Sequence, residues 1–175
     1  MTLMLRKPVQ TNHAFKLARR QALRCLSSWG ALAWGAVPAL AATTASLPVP
    51  KSLAESLTLA LRLGQPLVVM VSLEGCAFCK VARSHYLAPL QREGLPVVQI
   101  DMRTATPVQD FQALATNHDA LVRQWNVRVA PTVMFFGPGG VELADRLQGV
   151  SNADYYGTYL NQRITAARAA LSRWG

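Results

Sequence analysis

The sequence predicts an α/β fold with a central mixed β-sheet flanked by helices, on three observations. Two short β-branched runs, Pro66 to Leu73 (PLVVMVSL) and Val97 to Asp101 (VVQID), stand on either side of a helical segment and have the length and content of buried strands. A strand–helix–strand connection of this kind is right-handed and makes its two strands parallel. Further on, Thr132 to Phe136 (TVMFF) runs into Gly137-Pro138-Gly139-Gly140, a turn that returns the chain as an antiparallel hairpin. Parallel and antiparallel pairs together make the sheet mixed.

Each element carries its own signals. Ser52-Leu53-Ala54-Glu55 is a capping box, and Leu53, Leu57, Ala60 and Leu61 recur at helical spacing until Gly64 stops the helix. The helix that opens at Cys76 is expected to end near Leu87, because Pro89 biases Ala88 away from helical angles. Thr104 to Asn117 starts polar and then reads as weakly helical through Phe111, Leu114 and Ala115, and Asp119 to Trp125 is a further short helix. Val127 to Ala130 leads into Pro131 and the TVMFF strand, with Val141 to Leu147 as its hairpin partner. Ser151-Asn152-Ala153-Asp154 caps the last helix, whose Tyr156, Tyr159, Leu160 and Ile164 are expected to pack on the sheet.

The first 41 residues differ from the rest. Arg6, Lys7, Lys16, Arg19, Arg20 and Arg24 form a basic region with no acidic residue, Cys25 to Val37 is apolar, and Ala39-Leu40-Ala41 is a small-x-small cleavage site. This reads as a signal peptide (residues 1–41) for export to the periplasm, with cleavage after Ala41. Arg19-Arg20 loosely resembles a twin-arginine signal but lacks the usual aromatic, so the Sec and Tat routes both stay open. An uncleaved anchor ranks second, since Trp34, Gly35 and Pro38 interrupt the apolar run. Residues 42–50 read as a flexible linker and 51–175 as the domain. Removal of the leader takes six of the 18 Lys and Arg and none of the nine Asp and Glu, leaving 12 against 9, a charge of +3. No basic cluster with interleaved aromatics remains, which argues against nucleic acid as a partner.

Cys25 leaves with the leader, so Cys76 and Cys79 are the only thiols of the mature chain. Three residues apart at a helix start, they lie on one face of its first turn. The unpaired N–H groups and positive dipole end there stabilise a thiolate at Cys76 and lower its pKa. Such a pair exchanges disulfides near neutral pH. It needs no cofactor beyond the Cys76–Cys79 disulfide itself.

Three segments then carry a resemblance: Cys76-Ala77-Phe78-Cys79-Lys80, Val127-Arg128-Val129-Ala130-Pro131-Thr132, and Phe135-Phe136-Gly137-Pro138-Gly139-Gly140 leading to Gly149. With the order of elements, they resemble the thioredoxin fold over about Ser52 to Arg168. The segment around Thr104 to Asn117 and the late proline of the active-site helix are most similar to exported members. These include the C-terminal soluble domain of the transmembrane reductant conduit of bacterial periplasms.

The resemblance implies a monomeric thiol-disulfide oxidoreductase acting on protein thiols and disulfides, more a reductase than an oxidase, recharged by a membrane-embedded thiol donor. It makes Cys76 the nucleophile and Cys79 the resolving thiol. It makes Pro131 a cis-proline that places Ala130 against the cysteines, where its backbone can pair with an extended substrate. Phe78 reads equally as a substrate contact and as a hydrophobic cover for the disulfide. The buried acid that many thioredoxins hold six residues before the first cysteine is Met70 here, its usual lysine partner is Val97, and the aromatic before the first cysteine is Gly75. Proton transfer at Cys79 is therefore expected to use water or Glu74, with Lys80 a further aid to the thiolate.

Other residues read more plainly. At about 100° per residue, His85 faces away from both thiols and is a surface histidine. His118 is expected in a loop or cap, and Trp125, Tyr155, Tyr156 and Tyr159 in core packing. No metal site is assigned, for want of a placed third ligand. Copper(I) binding by Cys76 and Cys79 stays open as an alternative function, as does an adaptor that binds a partner without turnover.

Overall fold

Ser52 does cap the first helix, α1 (Leu53–Arg62): the Glu55 amide donates to its Oγ at 3.3 Å. The computed structural model describes residues 45–150 and 153–174, so the expected signal peptide and the Ser151 cap lie outside the described residues. Strand β1 (Leu67–Ser72) is buried at every position because both of its faces are covered. Val68 and Met70 point into one apolar cluster with Leu87, Tyr156, Leu160 and Ile164. Leu67, Val69 and Val71 point into the other with Leu53, Leu57, Leu121 and Val122. The period of two in a strand makes that division.

β1 pairs parallel with β2 (Val97–Asp101), with Val68 opposite Val97, and with β5 as Thr132–Phe136 and β6 as Leu147–Gln148 the order across the main sheet is β2-β1-β5-β6. β5 runs antiparallel to β1 and carries the short β6 on its other side. The mixed sheet flanked by helices is thus as the sequence predicts. Among the described residues no helix is long and apolar enough to cross a membrane.

The active-site helix is longer than expected. It runs as α2 (Ala77–Val81), a π-helical turn (Ala82–Leu87) and α3 (Ala88–Arg92), so Pro89 does not stop it. The Ala88 amide reaches back to the carbonyl of Arg83, five residues away. That wider turn makes room where a proline ring would otherwise collide with the carbonyl four residues before it.

Thr104 to Asn117 is not helical. It forms a hairpin of β3 (Pro107–Gln109) and β4 (Ala115–Asn117). The Asp110 carboxylate accepts the amides of Gln112 and Leu114, each at 2.9 Å, and so builds the turn from a side chain that competes with helix. Phe111 packs 4.6 Å from Phe136, ring to ring, while Leu114 stays exposed; the two never shared a helical face.

The hairpin partner of β5 is shorter than Val141 to Leu147. Only Leu147–Gln148 pairs as a strand, with one isolated bridge from Glu142 to Phe136. Arg146 forms an ion pair with Glu142 four residues earlier, which an extended run would hold out of reach, and donates to the Trp125 carbonyl at 2.7 Å.

α4 (His118–Gln124) begins one residue earlier than expected, with Asn117 as its cap. His118 is no loop residue: it is completely buried. On α5 (Ala153–Leu171), Tyr156, Leu160, Ile164 and Ala167 make the buried stripe, which leaves Tyr159 and Tyr155 exposed rather than packed on the sheet. Trp125 is half-buried among Phe111 and Phe136. The described part of the expected flexible linker is packed. Leu47 and Pro50 are buried, and the Gln99 amide donates to the Pro48 carbonyl at 2.8 Å, laying residues 45–50 along the outer edge of β2.

Candidate active site

The site forms where β1 ends. After Ser72 the chain turns, with the Cys76 amide donating to the Leu73 carbonyl at 3.2 Å and Gly75 at φ +73°. That left-handed angle suits glycine and strains side-chain-bearing residues, which accounts for Gly75 where an aromatic was looked for. Cys76 is then the N-cap of α2, in extended geometry, and the Cys79 amide donates to its Sγ at 3.1 Å. A capping position normally taken by an oxygen is filled by sulfur.

Cys76 and Cys79 form a disulfide across Cα atoms 5.2 Å apart. Their exposures differ: Cys76 is partly exposed, and Cys79 is 0% exposed. One sulfur can be approached and the other cannot. Cys76 Sγ also stands 3.8 Å from the Ala130 carbonyl; the disulfide has no hydrogen to donate there, but a Cys76 thiol does.

The Ala130–Pro131 peptide bond is cis, Pro131 is buried and Ala130 partly exposed. The loop is fastened on both sides of them. Thr132 Oγ1 donates to the Val129 carbonyl at 2.7 Å, and the Gly149 amide to that of Pro131 at 2.7 Å. Phe78 is 60% exposed, next to the disulfide in sequence. Glu74 and Lys80 are exposed on the rim of a cleft that reaches Cys76.

The surroundings of Cys79 are apolar. Met70 and Val97 are buried in its cluster, together with Ala82 and Tyr156. The Tyr156 hydroxyl has no hydrogen-bond partner, and burial, with the neighbouring Tyr86 adding to it, pushes its pKa above the ordinary tyrosine range.

Several residues of the site were not singled out from the sequence. Arg83 donates from Nε to Gln99 Oε1 at 2.7 Å and from Nη2 to Ser72 Oγ at 2.9 Å, and Gln99 Nε2 donates to Asp101 Oδ1 at 2.6 Å. Two signals existed: Arg83 lies two helical turns after Cys76, and Gln99 and Asp101 place polar groups on one face of a core strand. Beneath them, His118 Nδ1 accepts the Asp101 amide at 3.1 Å, which leaves the proton on Nε2, an atom without a partner. Burial pushes the His118 pKa below 6.5, against a smaller upward pull from Asp101.

A family model described as a thioredoxin-like domain matches residues 53–164. The chain belongs to the thioredoxin-like family. With its CxxC disulfide, this thioredoxin-like protein is a thiol-disulfide oxidoreductase. Among solved structures it is similar to thioredoxin O2 from Arabidopsis thaliana in the oxidised state, at 22% identity and TM-score 0.47 over 69% of this chain and 96% of that one. It is also similar to the C-terminal domain of DsbD from Neisseria meningitidis in the oxidised form, at 22% identity and TM-score 0.45 over 63% and 90%. The periplasmic thioredoxin SoxS from Paracoccus pantotrophus, in its reduced form, shares 21% identity at TM-score 0.39 over 59% and 99%. No curated protein matches the chain.

Proposed function

We propose that this thioredoxin-like protein is exported to the periplasm and reduces disulfides of partner proteins there, recharged by a membrane-embedded thiol donor. The observation that carries the roles of the thiols is their asymmetry: Cys76 partly exposed with an amide on its sulfur, Cys79 wholly buried behind it. In the dithiol, that amide stabilises a Cys76 thiolate, which attacks one sulfur of the partner disulfide and expels the other as a thiolate. Cys79 then gives up its proton and attacks Cys76 Sγ, releasing the partner as a dithiol and leaving the Cys76–Cys79 disulfide. Two electrons have passed to the partner.

The partner's chain lies along Ala130 in strand-addition mode, its apolar side chains against Phe78 and Val129, which are 60% and 44% exposed. Pro131 keeps a backbone donor away from the sulfurs. With Met70 and Val97 where an acid and a lysine would assist, the Cys79 proton leaves through water or Glu74 rather than through a buried carboxylate. The leader-like residues 1–41 support export. The reductive direction is supported by what lies between β2 and β5: a hairpin and a seven-residue helix, rather than an inserted helical domain such as strong periplasmic oxidants carry.

The test is trapping in cells. Cys79→Ser should accumulate a mixed disulfide through Cys76 with client proteins, and Cys76→Ser should accumulate none and lose reductase activity. Full activity of Cys76→Ser would sink the proposal.

A further inference from the structure

A cleft of about 730 Å³ opens beside Cys76, and Ala130, Pro131 and Phe78 take no part in its lining. Residues Ala45 to Leu47 and Val49 form one wall, held in place by the buried Leu47 and by the Gln99 amide on Pro48. Lys80, Arg83 and Ser84 form the opposite wall, and Ser72, Gln99 and Asp101 the floor. Its volume falls in the range of small-molecule sites, about 300–1,000 Å³, and its charged groups carry both signs. Arg83 spends Nε and Nη2 on the floor; among the described residues its Nη1 and Asp101 Oδ2 take no partner, and Gln99, bonded to both side chains, holds a cationic and an anionic group in the same cleft. Lys80 and Glu74 repeat the two signs at the rim.

We propose that this cleft binds a low-molecular-weight disulfide bearing free amino-acid groups, carboxylate toward Arg83 and Lys80, ammonium toward Asp101 and Glu74, with its sulfurs at Cys76. The proposal rests on the thiol-exchange reading above and adds a second class of substrate to it. The Cys76 thiolate attacks one sulfur of R–S–S–R, forming the Cys76–S–S–R bond and releasing one thiolate. Cys79 passes its proton to that thiolate and attacks Cys76 Sγ, expelling the second. The dithiol is oxidised by two electrons, and one disulfide becomes two thiols.

The experiment mixes pre-reduced protein with glutathione disulfide, which carries both charges, and with uncharged bis(2-hydroxyethyl) disulfide. Each second-order rate constant is divided by that of the same disulfide with dithiothreitol. The expected result is a normalised preference for glutathione disulfide of about tenfold, the worth of one charge-assisted contact, which shrinks as salt is raised. In Arg83→Met the preference should fall several-fold. Because loss of Arg83 also loosens the floor, Lys80→Gln provides a second variant, expected to reduce the preference in the same sense. Equal normalised rates in the wild-type protein, or a preference indifferent to salt and to both substitutions, would overturn the cleft assignment while leaving protein disulfide exchange intact. A dithiol that reacts with neither disulfide would overturn both readings.

Discussion

Cys76 works as a capping residue before it works as a nucleophile. The group that satisfies the first amides of the active-site helix is the sulfur that reacts, so helix stability and thiolate stability share one contact, the Cys79 amide at 3.1 Å. Phe78 stands apart from this. At 60% exposure it supports nothing in the core, so Phe78→Ala should change unfolding free energy by less than about 0.5 kcal/mol, read by urea titration, while lowering the rate of reduction of a protein disulfide. His118 gives a pH signature. Its folded pKa lies below 6.5, so on acidification the unfolded chain takes up the proton first. Stability is whole above about pH 6.5 and drains as pH falls through that value toward the lower folded pKa. Urea titrations between about pH 7.5 and 5 should show this slope, and His118→Gln should flatten it.

Among the elements, the active-site turn and the N-terminal wall carry the sharpest consequences. Gly75 holds φ +73° with open space around its Cα, so Gly75→Ala meets no steric clash and pays only the backbone strain, about 1 kcal/mol. Equilibrium unfolding would measure it. Leu47 is 5% exposed in the same cluster as Cys79, so Leu47→Ala should cost about 2–5 kcal/mol, the range of a buried leucine and far beyond what a loose linker residue would show. The segment has no period, and by sequence it reads as a linker. Its order comes from contacts with β2, residues that lie some fifty positions away in sequence. The hairpin at 107–117 departs from its weakly helical pattern for a related reason: Asp110 builds a turn from its own side chain, and Phe111 finds its neighbours on Trp125 and Phe136.

For the molecule as a whole, direction of electron flow is a property of the folded site, set by how much better it holds the Cys76 thiolate than the disulfide. A reductase requires a potential near that of thioredoxin, roughly −270 mV, against about −120 mV for a strong oxidant. Equilibration of residues 42–175 in dithiothreitol buffers should give the lower value; the higher one would reverse the proposed direction.

Periodicity and spacing were enough for the mixed sheet, the capping box at Ser52, and a thiol pair at a helix start, because each depends on residues within a few positions of one another. The parallel pairing of β1 and β2 followed from the handedness of one crossover, whereas the place of β5 beside β1, in the order β2-β1-β5-β6, came from the folded sheet. Gly75 in place of an aromatic and Met70 in place of an acid were visible as departures, but only the fold explains the first, through its left-handed angle. Tertiary structure alone decided what surrounds the sulfurs. It buried Cys79 and left Cys76 open, turned His118 inward onto the Asp101 amide, and drew Arg83, Gln99, Asp101 and residues 45–49 into one cleft. These groups are scattered from residue 45 to residue 118, and no local pattern records a contact whose free energy exists only once the sheet has brought both sides together.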